Sequence, residues 1–116
     1  MYPKLPSLKR LGDPICDQYA GICFTNGSLI AIADGCNWGE IPKLAAQTAV
    51  TLYTNYLNSH YKELKTTHDI IKYSLRSFLK AHQKIISAVD KDTLFLAGTT
   101  TILGGMIVEL ETPIDG

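Results

Sequence analysis

Residues 19–35 read YAGICFTNGSLIAIADG, and the folding of this stretch decides the rest of the chain. Two apolar runs, 19–24 and 29–33, flank Thr25-Asn26-Gly27-Ser28. Asn-Gly between apolar runs is a strong hairpin signal, because both central residues accept positive φ. The reading predicts two antiparallel strands joined by that turn, the second ending at Asp34-Gly35.

Downstream, a polar loop over 35–39 leads to Pro42, whose missing N–H suits the first turn of a helix. Ala45, Ala46, Ala49, Val50, Tyr53, Tyr56 and Leu57 then recur at helical spacing, which predicts a helix to about residue 61. After a polar connection over 62–66, Thr67 suits an N-cap and Asp69 a first turn. The next helix is expected to end near Asp90. Its apolar face is read as Ile71, Leu75, Phe78, Leu79, His82, Ile85, Ile86 and Val89, opposite Lys72, Arg76, Lys80, Gln83 and Lys84. A short connection predicts that the two helices pack antiparallel. From Gly98 the period changes, and β-branched and apolar content up to Leu110 predicts a third strand. Gly104-Gly105 within it marks a bulge or a close backbone approach. A turn is expected at Pro113 and Asp115-Gly116. Upstream, Pro3, Pro6, Gly12 and Pro14 predict an irregular lead-in over 1–14. The order is β-β-α-α-β, an α+β chain.

The 116 residues suit one domain or a piece of a larger one, with 46% hydrophobic residues and zero formal net charge. No block of one sign points to nucleic acid or an anionic membrane, and no apolar run is long enough to span a bilayer. Three cysteines, Cys16, Cys23 and Cys36, form no paired spacing, so buried free thiols in a reducing intracellular setting, cytoplasmic or nuclear, are expected. His60 and His68 are read as solvated, and Tyr53, Tyr56, Tyr61 and Tyr73 as packing residues.

The chemistry concentrates at the end of the second strand. An apolar strand that delivers Asp34 to its solvent end holds a carboxylate rigidly at a cleft, where hard cations such as Mg²⁺ or Mn²⁺ find oxygen ligands. Gly35 allows a sharp turn and presents its carbonyl. On pattern alone, Asp34-Gly35 reads first as an ordinary strand-ending turn, since such dipeptides are common turn formers. Asp17 opens the first strand, so the hairpin sets it beside Asp34. Two carboxylates that close repel unless a cation or proton lies between them.

These residues carry a resemblance. Residues 29–39 followed by Lys43-Leu44-Ala45-Ala46 are similar to the apolar strand, Asp-Gly motif and alanine-rich helix of the type 2C (PPM) metal-dependent protein serine/threonine phosphatases. Gly98-Thr99-Thr100-Thr101-Ile102-Leu103 resembles that family's Gly-Ser/Thr-Thr-Ala strand, and Asp17-Gln18-Tyr19-Ala20 falls where its first acidic motif lies. The resemblance implies an α-β-β-α sandwich of antiparallel sheets flanked by antiparallel helix pairs, of which residues 15–116 form the N-terminal part. It implies two Mn²⁺ or Mg²⁺ ions, with Asp34, Gly35 and Asp17 at the metal site, and hydrolysis of phosphoserine or phosphothreonine on a protein substrate. Arg10 is the nearest counterpart of the phosphate-binding arginine, although farther upstream than the family's. Cys16 replaces the usual glutamate, Cys36 a histidine found in some members, and Asn37 and Trp38 the usual glycines. The family's remaining metal-binding aspartates lie beyond Gly116. The expectation is therefore a phosphatase domain whose C-terminal part, or another chain, covers its exposed core and completes its site. The rival expectation is a catalytically silent, phosphatase-like binding or regulatory module.

Overall fold

The computed structural model of the chain describes residues 15–110. The lead-in expected over 1–14, with Arg10, and the turn expected at Pro113 and Asp115-Gly116 lie outside the described residues. Strands β1 (Gln18–Phe24) and β2 (Gly27–Ala33) are followed by helices α1 (Glu40–Ser59) and α2 (Thr67–Ile86), then by strand β3 (Leu103–Val108). The chain is α+β in the order β-β-α-α-β. Short 3₁₀ stretches at Tyr61–Glu63 and Lys91–Ala97 link the helices to each other and to β3; the second had no counterpart in the sequence reading.

The sheet is antiparallel with β2 in the centre. Phe24 pairs with Gly27, so the hairpin turns on Thr25 and Asn26, one residue earlier than expected. Neither Asn26 nor Gly27 has positive φ. Gly27 serves a different purpose: a Cβ there would run into the Ile107 carbonyl of β3. The Asn26 carbonyl accepts the Glu109 N–H at 2.7 Å, so the third strand also holds the turn. The β2–β3 register runs through Gly104 and Gly105 without a bulge. Of the two readings offered for this pair, close approach holds at Gly104, where a Cβ would meet the Tyr53 ring.

Period-2 alternation sends Leu29, Ala31 and Ala33 inward, against Ala46, Val50, Tyr53 and Leu57 of α1. Alanines on both surfaces let the helix lie close to the strands. Tyr53–Phe78, Tyr56–Tyr73 and His60–Tyr73 ring contacts climb one helix while descending the other, so α1 and α2 are antiparallel. His60, expected to be solvated, is half-buried on Tyr73, with its Nδ1 2.7 Å from the Tyr56 carbonyl oxygen. The N-cap of α2 is Thr66 rather than Thr67. Its hydroxyl accepts the Asp69 N–H, and the Asp69 carboxylate accepts the Thr66 N–H, closing a capping box.

The packed face of α2 departs from the expected one. Ser77 and Ala81 are buried against α1, with Tyr73, Phe78 and Ile85 half-buried beside them. Ile71, Leu75, Leu79, His82 and Ile86 point outward, Leu75 being 64% exposed. Small residues win this contact because they admit the aromatic rings between the helices. The Ser77 hydroxyl, which such burial would otherwise orphan, donates to the Ser74 carbonyl at 2.6 Å. The outer sheet face is likewise uncovered, with Tyr19 at 85% and Ile107 at 78% exposure. Of the cysteines, Cys16 is buried, whereas Cys23 and Cys36, expected to be buried, are exposed.

Candidate functional site

The β1–β2 register sets the geometry of the site. The ladder ends at the pair Gln18 and Ala33, so one further step puts Asp17 opposite Asp34. The Asp34 carboxyl lies near enough to act on that of Asp17. Partial desolvation, then the hydrogen bond and the charge of Asp34, raise the pKa of Asp17 above its ordinary value. Both residues are exposed. They line a cleft of about 270 Å³ with Ile15, Cys16, Gly35 and Cys36.

The strand end carrying Asp34 is anchored from the far side by the Gly98–Leu103 stretch. Thr101 N–H donates to the Asp34 carbonyl at 2.9 Å, and the Thr100 hydroxyl to the same oxygen at 3.0 Å. Asp34 N–H donates to the Thr101 hydroxyl at 3.3 Å, and Cys36 N–H to the Thr99 carbonyl at 2.8 Å. The backbone of Asp34 is thereby fixed while its side chain stays at the cleft. Gly98 has φ 82°, and a Cβ there would press on the Ile41 carbonyl, so glycine is required on both counts. Gly35 is buried, and a Cβ on it would approach the Pro42 carbonyl carbon at 2.8 Å. Helix α1 therefore starts directly behind the Asp-Gly turn.

Asp17, Asp34 and Gly35 are thus brought together, and Arg10 lies outside the described residues. Cys16 also belongs to the site. Its Sγ donates to the Gly39 carbonyl at 3.5 Å, tying the base of the cleft to the start of α1. Sequence reasoning missed the hydroxyls of Thr100 and Thr101 as anchors of Asp34; a run of three threonines opposite an Asp-Gly turn was the available signal. The cleft offers hard oxygen donors and no lining Lys or Arg, a donor set that fits Mg²⁺ or Mn²⁺ in kind. Among the described residues, no group of three or more His, Cys, Asp and Glu side chains is arranged to hold a metal ion. The two carboxylates are therefore part of a metal site at most.

The chain is 33% identical over 82 residues to the PP2C-like domain-containing protein CG9801 of Drosophila melanogaster, a match that takes in 66% of this chain. The match supports a PP2C-like relation over that stretch at most. The chain spans 12% of the length of that relative. No family model and no solved structure matches.

No helix among the described residues is long and apolar enough to cross a membrane.

Proposed function

We propose that residues 15–116 form the N-terminal part of a phosphatase-like domain that hydrolyses phosphoserine or phosphothreonine on proteins with Mn²⁺ or Mg²⁺. One observation carries the reading: Asp17 and Asp34 face each other across the sheet edge in an open cleft. Likeness to a PP2C-like protein supports it. Asp34 and Gly35, with Asp17 beside them, would hold the cations, and further ligands would come from outside the described residues. Two bound divalent ions acidify a water and offset the charge of the phosphoryl group. The chain's own part is to hold Asp34 still through Thr100 and Thr101, and to keep the two carboxylates close enough to favour a cation between them. Arg10 is the candidate for gripping the substrate phosphate. The outer sheet face and the outward stripe of α2 suit coverage by the rest of the domain or by another chain, in an intracellular protein.

A second reading has its own support. Two carboxylates with no group of three or more His, Cys, Asp and Glu that could hold a metal ion among the described residues, and Cys16, Asn37 and Trp38 in place of the family's usual residues, also suit a catalytically silent binding module. Hydrolysis of a phosphothreonine peptide by the complete protein, with and without Mn²⁺, separates the two. The enzyme reading expects a metal-dependent rate that falls about 100-fold or more in Asp34→Asn, in line with loss of a group that acts on the transition state. An equal rate in that variant, or no rate at any Mn²⁺ concentration, would favour the silent module.

A further inference from the structure

A second depression opens on the other side of the loop that carries the site. Residues 35–39 reverse direction with Asn37 at φ 70° and Gly39 at φ 113°. This throws Trp38 outward, where it is 65% exposed. Across from it, the 3₁₀ stretch Lys91–Ala97 presents Phe95 at 80% exposure. Between them runs a groove of about 280 Å³, floored by Pro42 and bounded by Ile41 and Thr99. Cys36, Asn37 and Trp38 line both this groove and the Asp17–Asp34 cleft. One wall therefore divides two adjoining depressions of different chemistry.

We propose that this groove is a specificity subsite. It takes a large apolar side chain, aromatic or leucine-like, lying near the phosphorylated residue of a protein substrate. The inference rests on reading the Asp17–Asp34 cleft as the place where the phosphorylated residue docks. Three features select this occupant. The volume falls just below the range of small-molecule sites and suits a single side chain. The rings of Trp38 and Phe95, with Ile41 and Pro42, give an apolar group a surface to pack on beside the polar Asn37, Glu40 and Thr99. The one charged lining residue is Glu40, whose carboxylate pairs with Lys43 at 3.5 Å, so the groove offers no uncompensated cation to a second phosphate or an acidic residue. Continuity with the cleft makes the occupant part of the same peptide.

The experiment uses the complete protein and two families of phosphothreonine peptides. They are identical except for Phe or Ala at each position within three residues of the phosphothreonine. Binding is read by fluorescence polarisation and turnover by phosphate release. At one position Phe is expected to outperform Ala by about tenfold, in the range a hydrophobic pocket supplies. That ratio should collapse to near one in Phe95→Ala and in Trp38→Ala, and survive in part in Phe95→Leu. Phe95 is too exposed for its truncation to threaten folding, and far-ultraviolet circular dichroism verifies this. If no position discriminates Phe from Ala, or if the ratio persists in both alanine variants, the subsite does not exist. Binding and turnover fail separately. Discrimination without turnover keeps the groove and removes the enzyme, whereas metal-dependent turnover without discrimination keeps the enzyme and removes the groove.

Discussion

The protonation of Asp17 ties the stability of the metal-free fold to pH. Desolvation and the adjacent Asp34 raise the Asp17 pKa in the folded chain, so folding favours its protonated form. Stability from this source is complete below the ordinary aspartate range and lost as pH rises through the raised value. At neutral pH, without a cation, the pair is therefore a strain on the fold. Asp17→Asn is expected to stabilise the metal-free protein at neutral pH. Water at this open edge screens the repulsion, so the gain stays under about 1 kcal/mol. Thermal melts in chelator at a series of pH values give the check: the two melting temperatures should converge on acidification. A variant less stable than its parent at neutral pH would mean that Asp17 does useful work without a cation. Asp69 behaves in the opposite sense. Its hydrogen bonds from the Thr66 hydroxyl partner and backbone lower its pKa, so its contribution is present above the unfolded aspartate range and fades as pH falls through the lowered value.

Between elements, the contact that places β3 is Gly104 against the Tyr53 ring. Gly104→Ala inserts a methyl group where the ring lies, and the ring is fully buried. The expected cost is about 1–3 kcal/mol, as for overpacking elsewhere, measured by urea denaturation. Gly105→Ala is the control, since a Cβ there meets no atom within 4 Å; equal costs at the two positions would remove Tyr53 from the explanation. The hairpin was legible in the sequence from its Asn-Gly signal, but the register that sets Asp17 opposite Asp34 was not: a turn centred on Asn26-Gly27 would pair 18 with 35, whereas the fold turns one residue earlier and pairs 18 with 33. The face of α2 was not legible. Periodicity identifies a helix but not the side that meets a neighbour, and the large residues at 71, 75 and 79 outweighed Ser77 and Ala81 in the reading. The ring of Tyr53 on the other helix meets Phe78 at 5.1 Å, a contact that periodicity along α2 does not specify. The groove at Trp38 and Phe95 was hidden for a related reason. Phe95 lies in a 3₁₀ stretch with no apolar period, and its neighbourhood exists only once Gly98 has turned the chain back beside Ile41.

At the scale of the whole molecule, two apolar surfaces are exposed on opposite layers: the outer sheet face, and the outward stripe of α2 at Ile71, Leu75, Leu79 and Ile86. Contiguous apolar surface of this kind marks interaction sites rather than ordinary solvent-facing residues. Whether something covers the sheet face can be read from the sign of one mutational effect. Ile32 and Leu103 are register partners, both exposed on that face. If the face meets water, changing both to serine removes little, within about 0.5 kcal/mol per site. It also lowers the tendency to self-associate and to bind a dye that reports exposed apolar surface. If the face is buried by another part of the domain, the same double substitution removes two packed side chains at about 2–5 kcal/mol each. The coverage proposed above therefore expects opposite results in two preparations. Residues 1–116 expressed alone should bind the dye and associate, and Ile32→Ser with Leu103→Ser should relieve both with little loss of melting temperature. The complete protein should bind little dye, and the same pair should lower its melting temperature sharply. Similar small effects in both preparations would mean that the face stays open in the complete protein, and an α-β-β-α sandwich would no longer describe it.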